Sequence, residues 1–271
     1  SATDTFNVAI GFEAGKAVTT GIYNTLIGGL AGDAITTGGQ NTALGYQSLS
    51  GGVASYYNTA IGYQALLSDT TGRESVAVGR NALRTQNDTS SSSTYNTAVG
   101  ANAGYAVTTG VRNTIVGGEA LYTATDADYN TAVGFQALYS DHKGNKSTAV
   151  GYNALVSQDF ASSTDAQNTA VGYSAGAAVT TGTSNSFFGL SSGYSATTGP
   201  HNTCIGVEAG YANITGQSST YIGRSCGVAA TGDSNTFIGR SSGSQVTSGA
   251  NNSILGRTQS FLLCHQVHPL R

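Results

Sequence analysis

Residues 21–45 read GIYNTLIGGLAGDAITTGGQNTALG, and the pentapeptide NTLIG at residues 24–28 returns as NTALG at residues 41–45. Fifteen such pentapeptides follow one another, and eleven of the fourteen steps from one start to the next are 17 residues long. Two steps are longer by four positions and one is shorter by a single position. The copies begin at positions 7, 24, 41, 58, 75, 96, 113, 130, 147, 168, 185, 202, 219, 235 and 252. The chain is therefore an array of short repeats.

The composition agrees with a repeat protein rather than an ordinary enzyme. Only 9% of the 271 residues are charged, 38 are glycine, and methionine and tryptophan are absent. The net charge of -3 and the lack of a dense Lys/Arg cluster argue against a nucleic-acid partner. No apolar run approaches the roughly 20 residues that a membrane-spanning helix needs, so membrane insertion is not expected.

Each position of the pentapeptide has its own chemistry. The first residue is Asn or Ser, which hydrogen-bond nearby backbone, and the fifth is always Gly. The fourth is always a large apolar residue, whereas the third is usually Ala. Because strand side chains alternate, we expect the second and fourth positions to face a core and the third to face outward. A small residue three positions after the Gly predicts a second wall close by.

A 17-residue period is too short for the helix pairs of other repeat arrays, and the β-branched, glycine-punctuated pattern lacks a helical period. The sequence predicts an all-β protein, a parallel β-solenoid of about 15 coils that covers residues 1–256. Residues 257–271 break the repeat and are expected to form a tail or a cap.

The repeat resembles that of a known family. SVAVG at residues 75–79 is similar to the NSVAIG-type repeat of YadA-like trimeric autotransporter adhesin heads. TTGVRNTIVG at residues 108–117 resembles repeats of bacteriophage tail fibres and bacterial surface fibres. The resemblance spans residues 7–256, and it implies left-handed β-rolls that associate as homotrimers.

The third-position column is the expected oligomer interface. A row of small residues offers a flat apolar strip that suits close packing against another chain. In the last five units the column enlarges, and such a line of large apolar groups is expected to lie on the trimer axis or under a partner. The residues assigned to this interface are Ala9, Ala43, Ala60, Ala98, Ala132, Phe187, Tyr221 and Phe237.

The residue after the invariant Gly forms a second column of interest. It is often aromatic in the first ten units but becomes Arg224, Arg240 and Arg257 in the last three. Stacked coils would place these cations on neighbouring rungs, where an anion would relieve their repulsion. We expect a site for acidic glycans or for an acidic neighbouring fibre component. The opposing interpretation is that the guanidinium groups extend into solvent or bond backbone carbonyls.

Nothing in the sequence predicts an enzyme, a cofactor or a metal site. The four histidines fall in different columns, and no GxSxG, HExxH or Gly-rich phosphate loop after a strand is present. His265 and His268 form an HxxH that could bind a metal in a trimer, but a disordered or capping tail is favoured. The three cysteines, Cys204, Cys226 and Cys264, are expected to be small buried residues rather than ligands or disulfides. A polysaccharide-cleaving spike remains an alternative. Ice binding is another, although we expect the row of paired Thr residues to be broken and the other Thr column to face the core.

The favoured function is a structural fibre segment that attaches to a surface. A phage tail fibre fits best, and the alternative is a bacterial surface adhesin head. The partners would be two further copies of the chain, a host surface glycan or receptor, and adjoining fibre components. The location would be extracellular, on a virion or a cell surface. The four-residue expansions within residues 84–95 and 156–167 predict loops on one flank, four coils apart.

Overall fold

The computed structural model describes residues 5–89 and 92–257, and within these ranges it contains seventeen short strands and no helix. The strands are β1 (Val8–Ile10), β2 (Thr25–Ile27), β3 (Thr42–Leu44), β4 (Thr59–Ile61), β5 (Val76–Val78), β6 (Thr97–Val99), β7 (Thr114–Val116), β8 (Thr131–Val133), β9 (Gly144–Asn145), β10 (Thr148–Val150), β11 (Thr164–Asp165), β12 (Thr169–Val171), β13 (Ser186–Phe188), β14 (Thr203–Ile205), β15 (Thr220–Ile222), β16 (Thr236–Ile238) and β17 (Ser253–Leu255).

Fifteen of these strands, one per pentapeptide, form a single parallel sheet in chain order. Each strand pairs with the equivalent residues of the next coil, so that Thr25 lies beside Thr42 and Thr42 beside Thr59. β9 and β11 make a separate two-stranded pair. At about 4.8 Å per rung the sheet is roughly 70 Å long. The predicted parallel β-solenoid is confirmed, with about 14 turns.

The first-position Asn ties each coil to itself and to the next. Asn41 donates its side-chain amide to the carbonyl of Ser55, further along the same coil, at 2.8 Å. Its Oδ1 accepts the backbone N–H of Asn58 at 3.0 Å. One side chain thereby closes a corner of its own coil and fixes the start of the following strand. The same pair of bonds recurs along the solenoid. The buried Asn side chains thereby supply partners to backbone N–H and carbonyl groups that would otherwise be buried without a hydrogen bond.

The invariant Gly of the pentapeptide is required by backbone geometry. Gly28 has φ of 132°, a region that side-chain-bearing residues rarely adopt. A Cβ there would lie 2.5 Å from the carbonyl oxygen of Gly45 in the next coil. The coils approach each other so closely at this corner that only hydrogen fits.

The prediction of which strand face points inward is wrong. The third-position residues Ala43, Ala60, Ala98 and Ala132 are fully buried inside the coils, whereas the second and fourth positions face outward. Phe187, Tyr221 and Phe237 are also fully buried within their own coils, so no partner is needed to cover them. Only Ala9, in the first coil, is exposed. The column assigned to an oligomer interface is therefore the core of the solenoid.

The reason is the narrow interior of a 17-residue coil. The small residue three positions after the Gly is buried on the opposite wall, as expected, for example at Ala65 and Ala82. The next residue also points inward and is Leu in many coils, such as Leu66 and Leu83. The third position opposite such a Leu is Ala in every coil but that of Ile115 and Leu121, because interiors are close-packed and a larger side chain has to find space in a neighbouring coil.

At Leu26, Phe187, Tyr221 and Phe237 the facing position of the same coil is Gly. Ile115 is the exception, because it faces Leu121 and extends instead toward Gly104 of the preceding coil. A Cβ on Gly32 would lie 2.8 Å from Leu26, and one on Gly193 would overlap the ring of Phe187. The exchange of Leu for Gly on one wall thus makes room for Phe or Tyr on the other. The enlarged column of the last coils is a volume compensation within each coil, and no partner is needed to explain it.

Candidate interaction surface

The outward side chains of the sheet form a surface that we call the outer sheet face, defined by the second and fourth pentapeptide positions. The fourth position contributes a row of Ile, Leu, Val and Phe that remains substantially exposed. Leu44 is 44% exposed, Val116 is 36% exposed and Leu255 is 80% exposed. The remaining members are Ile10, Ile27, Ile61, Val78, Val99, Val133, Val150, Val171, Phe188, Ile205, Ile222 and Ile238. A continuous apolar row of this length is unusual for a surface that stays in water.

The second position contributes a parallel row of hydroxyl groups. Eleven of the fifteen residues are Thr, two are Ser and two are Val. They are half-buried or exposed, as in Thr42 and Thr114, and none is fully buried. Neither row contains a charged residue. The outer sheet face is therefore an uncharged strip of alternating aliphatic and hydroxyl rows.

Aromatic ladders flank this strip. Where neighbouring coils both have an aromatic residue after the invariant Gly, the rings stack, with centroids 5.7 Å apart between Tyr46 and Tyr63 and 5.0 Å apart between Tyr152 and Tyr173. The residue before the first-position Asn, on the other edge, places Arg112 beside the ring of Tyr129 at 5.3 Å. Stacking fixes these exposed side chains in rows. The sequence showed the aromatic residues, and the equal coil spacing explains why they stack.

The three arginines predicted to share a column do so. Arg224, Arg240 and Arg257 follow the paired strand residues Ile222, Ile238 and Leu255 by the same two positions, and all three are exposed. The four ion pairs of the described residues involve other side chains. The column is thus a row of exposed cations at one end of the solenoid.

The two expanded coils place their extra residues at the same corner. Arg73 bridges to Ser93 in the first, and Asn145 pairs with Asp165 at the equivalent positions four coils further on. In the second loop Asp165 forms an ion pair with Lys146 at 2.5 Å, and Asp159 Oδ1 lies 2.8 Å from His142 Nδ1. Residues 90 and 91 of the first loop lie outside the described residues. The prediction of loops on one flank, four coils apart, agrees with this pairing.

Two buried polar clusters explain why Ser replaces Asn at the start of both expanded coils. In the first, the side-chain amide of Gln86 donates to Ser75 Oγ at 2.9 Å and to an oxygen of Asp69 at 3.3 Å. Asn96 donates to Gln86 in turn, at 2.9 Å. In other coils the first-position Asn amide bonds a carbonyl 14 residues further along, as Asn58 bonds Gly72, whereas here the shorter Ser75 bonds the side chain of Gln86. The arrangement is repeated four coils further on by Asp141, Ser147, Gln158 and Asn168.

Burial raises the pKa of both cluster carboxyls, Asp69 and Asp141, to about 6. Hydrogen bonds from Gly72 and Gln86 to Asp69 act in the opposite direction but only partly offset the loss of solvation. Raised carboxyl pKa values occur in active sites, but these two groups are fully enclosed and no substrate can reach them. Their role is in the folding of the coil.

The remaining reactive side chains are dispersed. Within residues 5–89 and 92–257 no three His, Cys, Asp or Glu side chains lie close enough together to hold a metal ion. Cys204 and Cys226 are buried free thiols, as expected, and burial raises the pKa of Cys226 to about 11. Cys264, His265 and His268 lie outside the described residues. In the part of the chain that the structure describes, no helix is long and apolar enough to span a bilayer.

Comparison with protein-family models and with curated protein sequences gives no match for this chain. The class of the protein is therefore defined by its fold, a parallel β-solenoid with a 17-residue coil. Function has to be argued from the outer sheet face and its flanking columns.

Proposed function

We propose that the chain is a structural segment of a trimeric fibre that attaches to a host or cell surface, most consistent with a phage tail fibre. The alternative is the head of a bacterial surface adhesin. The observation that carries the proposal is the exposed apolar row of the outer sheet face, which needs a cover. The covering surface that we propose is the same face of two further copies.

Three arguments favour copies of the same chain as the cover. The strip is about 70 Å long and, with three-residue strands, about 10 Å wide, so each chain would bury on the order of 700 Å², close to the roughly 800 Å² per partner of a standard interface. Every copy has the same rung spacing, so one matched rung brings all others into register. Because neither row is charged, the interface would bury no unpaired charge.

This arrangement keeps the trimer implied by the family resemblance and changes the residues at its centre. The axis would be lined by fourth-position residues such as Leu44, Val99 and Val116, in place of the third-position alanines. The corners, the expanded loops and the arginine column would stay at the periphery, where a receptor can reach them. A fibre of this kind needs no reactive residue, and attachment would depend on the peripheral groups.

Two measurements test the proposal. Multi-angle light scattering should give three times the 27.3 kDa mass of one chain. Fluorescently labelled protein should attach to the surface of bacterial cells, and unlabelled protein should compete with it. A monomer by light scattering would refute the fibre. A trimer that attaches to no bacterium would refute the phage tail fibre. The adhesin alternative would then be tested on other cell surfaces.

A second candidate, ice binding, gains support from one observation. The Thr column was expected to face the core, but the structure places it on the exposed outer sheet face at one residue per rung. A flat, regularly spaced hydroxyl row is what an ice surface requires. The row is interrupted by Val8, Val76, Ser186 and Ser253, which ranks this candidate second. Thermal hysteresis in a nanolitre osmometer tests it, and its absence at millimolar protein would remove the candidate.

A further inference from the structure

The arginine column, Arg224, Arg240 and Arg257, occupies three consecutive rungs at one end of the solenoid. The coils that carry it are held in register through the column, because the N–H of Ser241 donates to the carbonyl of Arg224 at 2.9 Å. A Cβ on Gly223 would lie 3.1 Å from the backbone nitrogen of Arg240. The three side chains therefore leave a closely spaced backbone at intervals of about 4.8 Å.

No carboxylate of the described residues forms an ion pair with the arginine column. Within residues 5–89 and 92–257 none of the three guanidinium groups forms an ion pair or a side-chain hydrogen bond. At about 5 Å, two like charges repel by about 1 kcal/mol in water and by about 3 kcal/mol at the effective dielectric constant of a protein surface. An anion that bridges neighbouring rungs would turn this repulsion into attraction.

Three arginines elsewhere in the chain lie against tyrosine rings. Arg73 lies 5.0 Å from the ring centre of Tyr56, and Arg84 lies 5.6 Å from that of Tyr105. Arg112 is bracketed by two tyrosines. These three guanidinium groups already have an aromatic partner, whereas no ring of residues 5–89 and 92–257 lies against the arginine column. The column is available for a ligand from outside.

The geometry of the column suits a chain of carboxylates. Three rungs repeat one exposed guanidinium group each along a single line, outside the rows that the trimer would cover. A guanidinium fork matches the two oxygens of a carboxylate, so a polymer with one carboxylate per sugar can engage one arginine per rung.

We propose that the arginine column binds a linear acidic polysaccharide whose carboxylates follow one another at about the spacing of the rungs. This inference deepens the proposed attachment function and rests on it. A nucleic acid is a poorer fit, because the last three rungs have no exposed aromatic side chain beside the column for base stacking and the chain has a net charge of -3.

The test uses polygalacturonate as the probe and its fully methyl-esterified form as the uncharged control. Binding is measured by biolayer interferometry on the full chain at low and at physiological salt. Wild-type protein should bind polygalacturonate and not the ester, with affinity that falls as salt rises. Replacement of all three arginines by Gln should lower the affinity at least 30-fold.

Single substitutions provide a matched comparison. Arg80 lies in the same column after the invariant Gly and is exposed, but its neighbouring rungs carry Tyr63 and Ala101. Arg240→Gln should weaken binding about tenfold, whereas Arg80→Gln should leave it unchanged. Equal effects of the two substitutions would overturn the proposal, because they would show a response to net charge alone.

Two further readouts separate this inference from the proposed function. Light scattering on the triple Gln variant should show the same mass as wild type. A loss of mass would place the arginines in the interface between chains and overturn the site. Tight binding of poly-glutamate at the expense of polygalacturonate would assign the column to an acidic protein partner and also overturn it. Attachment to cells that persists in the triple variant would reject the column as the receptor site while leaving the fibre intact.

Discussion

Two lysines on adjacent rungs of the outer sheet face should dissociate the assembly without unfolding the coil. Val99 and Val116 pair directly across β6 and β7, and each is more than a third exposed in the single chain. A lysine at either position has room to extend into solvent when the chain is alone. In a trimer, Val99→Lys with Val116→Lys would place six ammonium groups at the axis.

The magnitude follows from the surface that the valines cover. If each valine buries about 50 Å² in the assembly, the loss is about 1.2 kcal/mol per residue and about 7 kcal/mol per trimer. That alone weakens association by about five orders of magnitude. The outer sheet face contains no carboxylate to pair with a lysine, so desolvation of the ammonium groups adds to the cost.

Size-exclusion chromatography with light scattering at micromolar concentration is the assay. The double lysine variant should elute as a single 27.3 kDa chain with an unchanged β-type circular dichroism spectrum. The matched control is Thr181→Lys with Thr198→Lys, which lie on adjacent rungs at another, exposed corner, and it should remain trimeric. If the valine variant stays trimeric, or if the control dissociates equally, the outer sheet face is not the interface.

Three further predictions concern the coil itself. Ala98→Arg should abolish folding, because it places a charge in a fully enclosed position inside the coil. If the third position faced outward, as the sequence suggested, the coil would fold; a soluble variant with wild-type circular dichroism would therefore contradict the structure. Gly28→Ala should lower the free energy of unfolding by about 3 kcal/mol, because it adds a backbone clash to a strained φ, and the melting temperature should fall with it. Gly29→Ala, whose Cβ would meet only the ring of Tyr46 at an ordinary 3.4 Å, should change the melting temperature little, and equal effects of the two glycine variants would contradict the explanation. The pKa of Asp69 and of Asp141 is about 6 in the folded protein, above the ordinary 3.8, so the folded state binds these two protons more tightly than the unfolded state. The resulting stabilisation is complete below pH 4 and is lost as the pH rises through 6, by about 3 kcal/mol per site. Replacement of both by Asn should flatten the melting temperature between pH 4 and pH 7, and an unchanged slope would show that they are not the source.

The sequence was sufficient for the architecture because the repeat itself carries it. A 17-residue period with an invariant Gly and an apolar fourth position predicts stacked parallel strands, and the structure has them in that register. The small residue three positions after the Gly also correctly indicated a close second wall, as at Ala65.

The alternation of side chains along a strand does not show which strand face points inward. Alternation states that Ala98 and Val99 lie on opposite faces, and the larger residue was assigned to the core by size. The deciding quantity is the volume inside one coil, which depends on residues elsewhere in the same coil. Leu66 faces Ala60 in one coil, whereas Gly193 faces Phe187 in another. This exchange of large and small residues was visible in the sequence and could have revealed the correct face.

The buried polar clusters were also open to prediction. Ser75, Ser147 and Ser219 replace Asn at every fourth coil, and each begins one of the three coils of irregular length. That coincidence indicates a four-coil period and a local change in the hydrogen bonds of the corner. The partners Gln86 and Gln158 could not be found in this way, because the path of an inserted loop is not fixed by the repeat.

The central claim is that the outer sheet face of one chain packs against the same face of two others. The most direct test is an electron cryo-microscopy structure of the assembled protein. The fourth-position side chains, including Val99 and Val116, should lie within van der Waals contact of their counterparts around a threefold axis, with the third-position alanines enclosed in each coil. A map in which this face is open to solvent, or in which the chains meet through their corners, would contradict the claim.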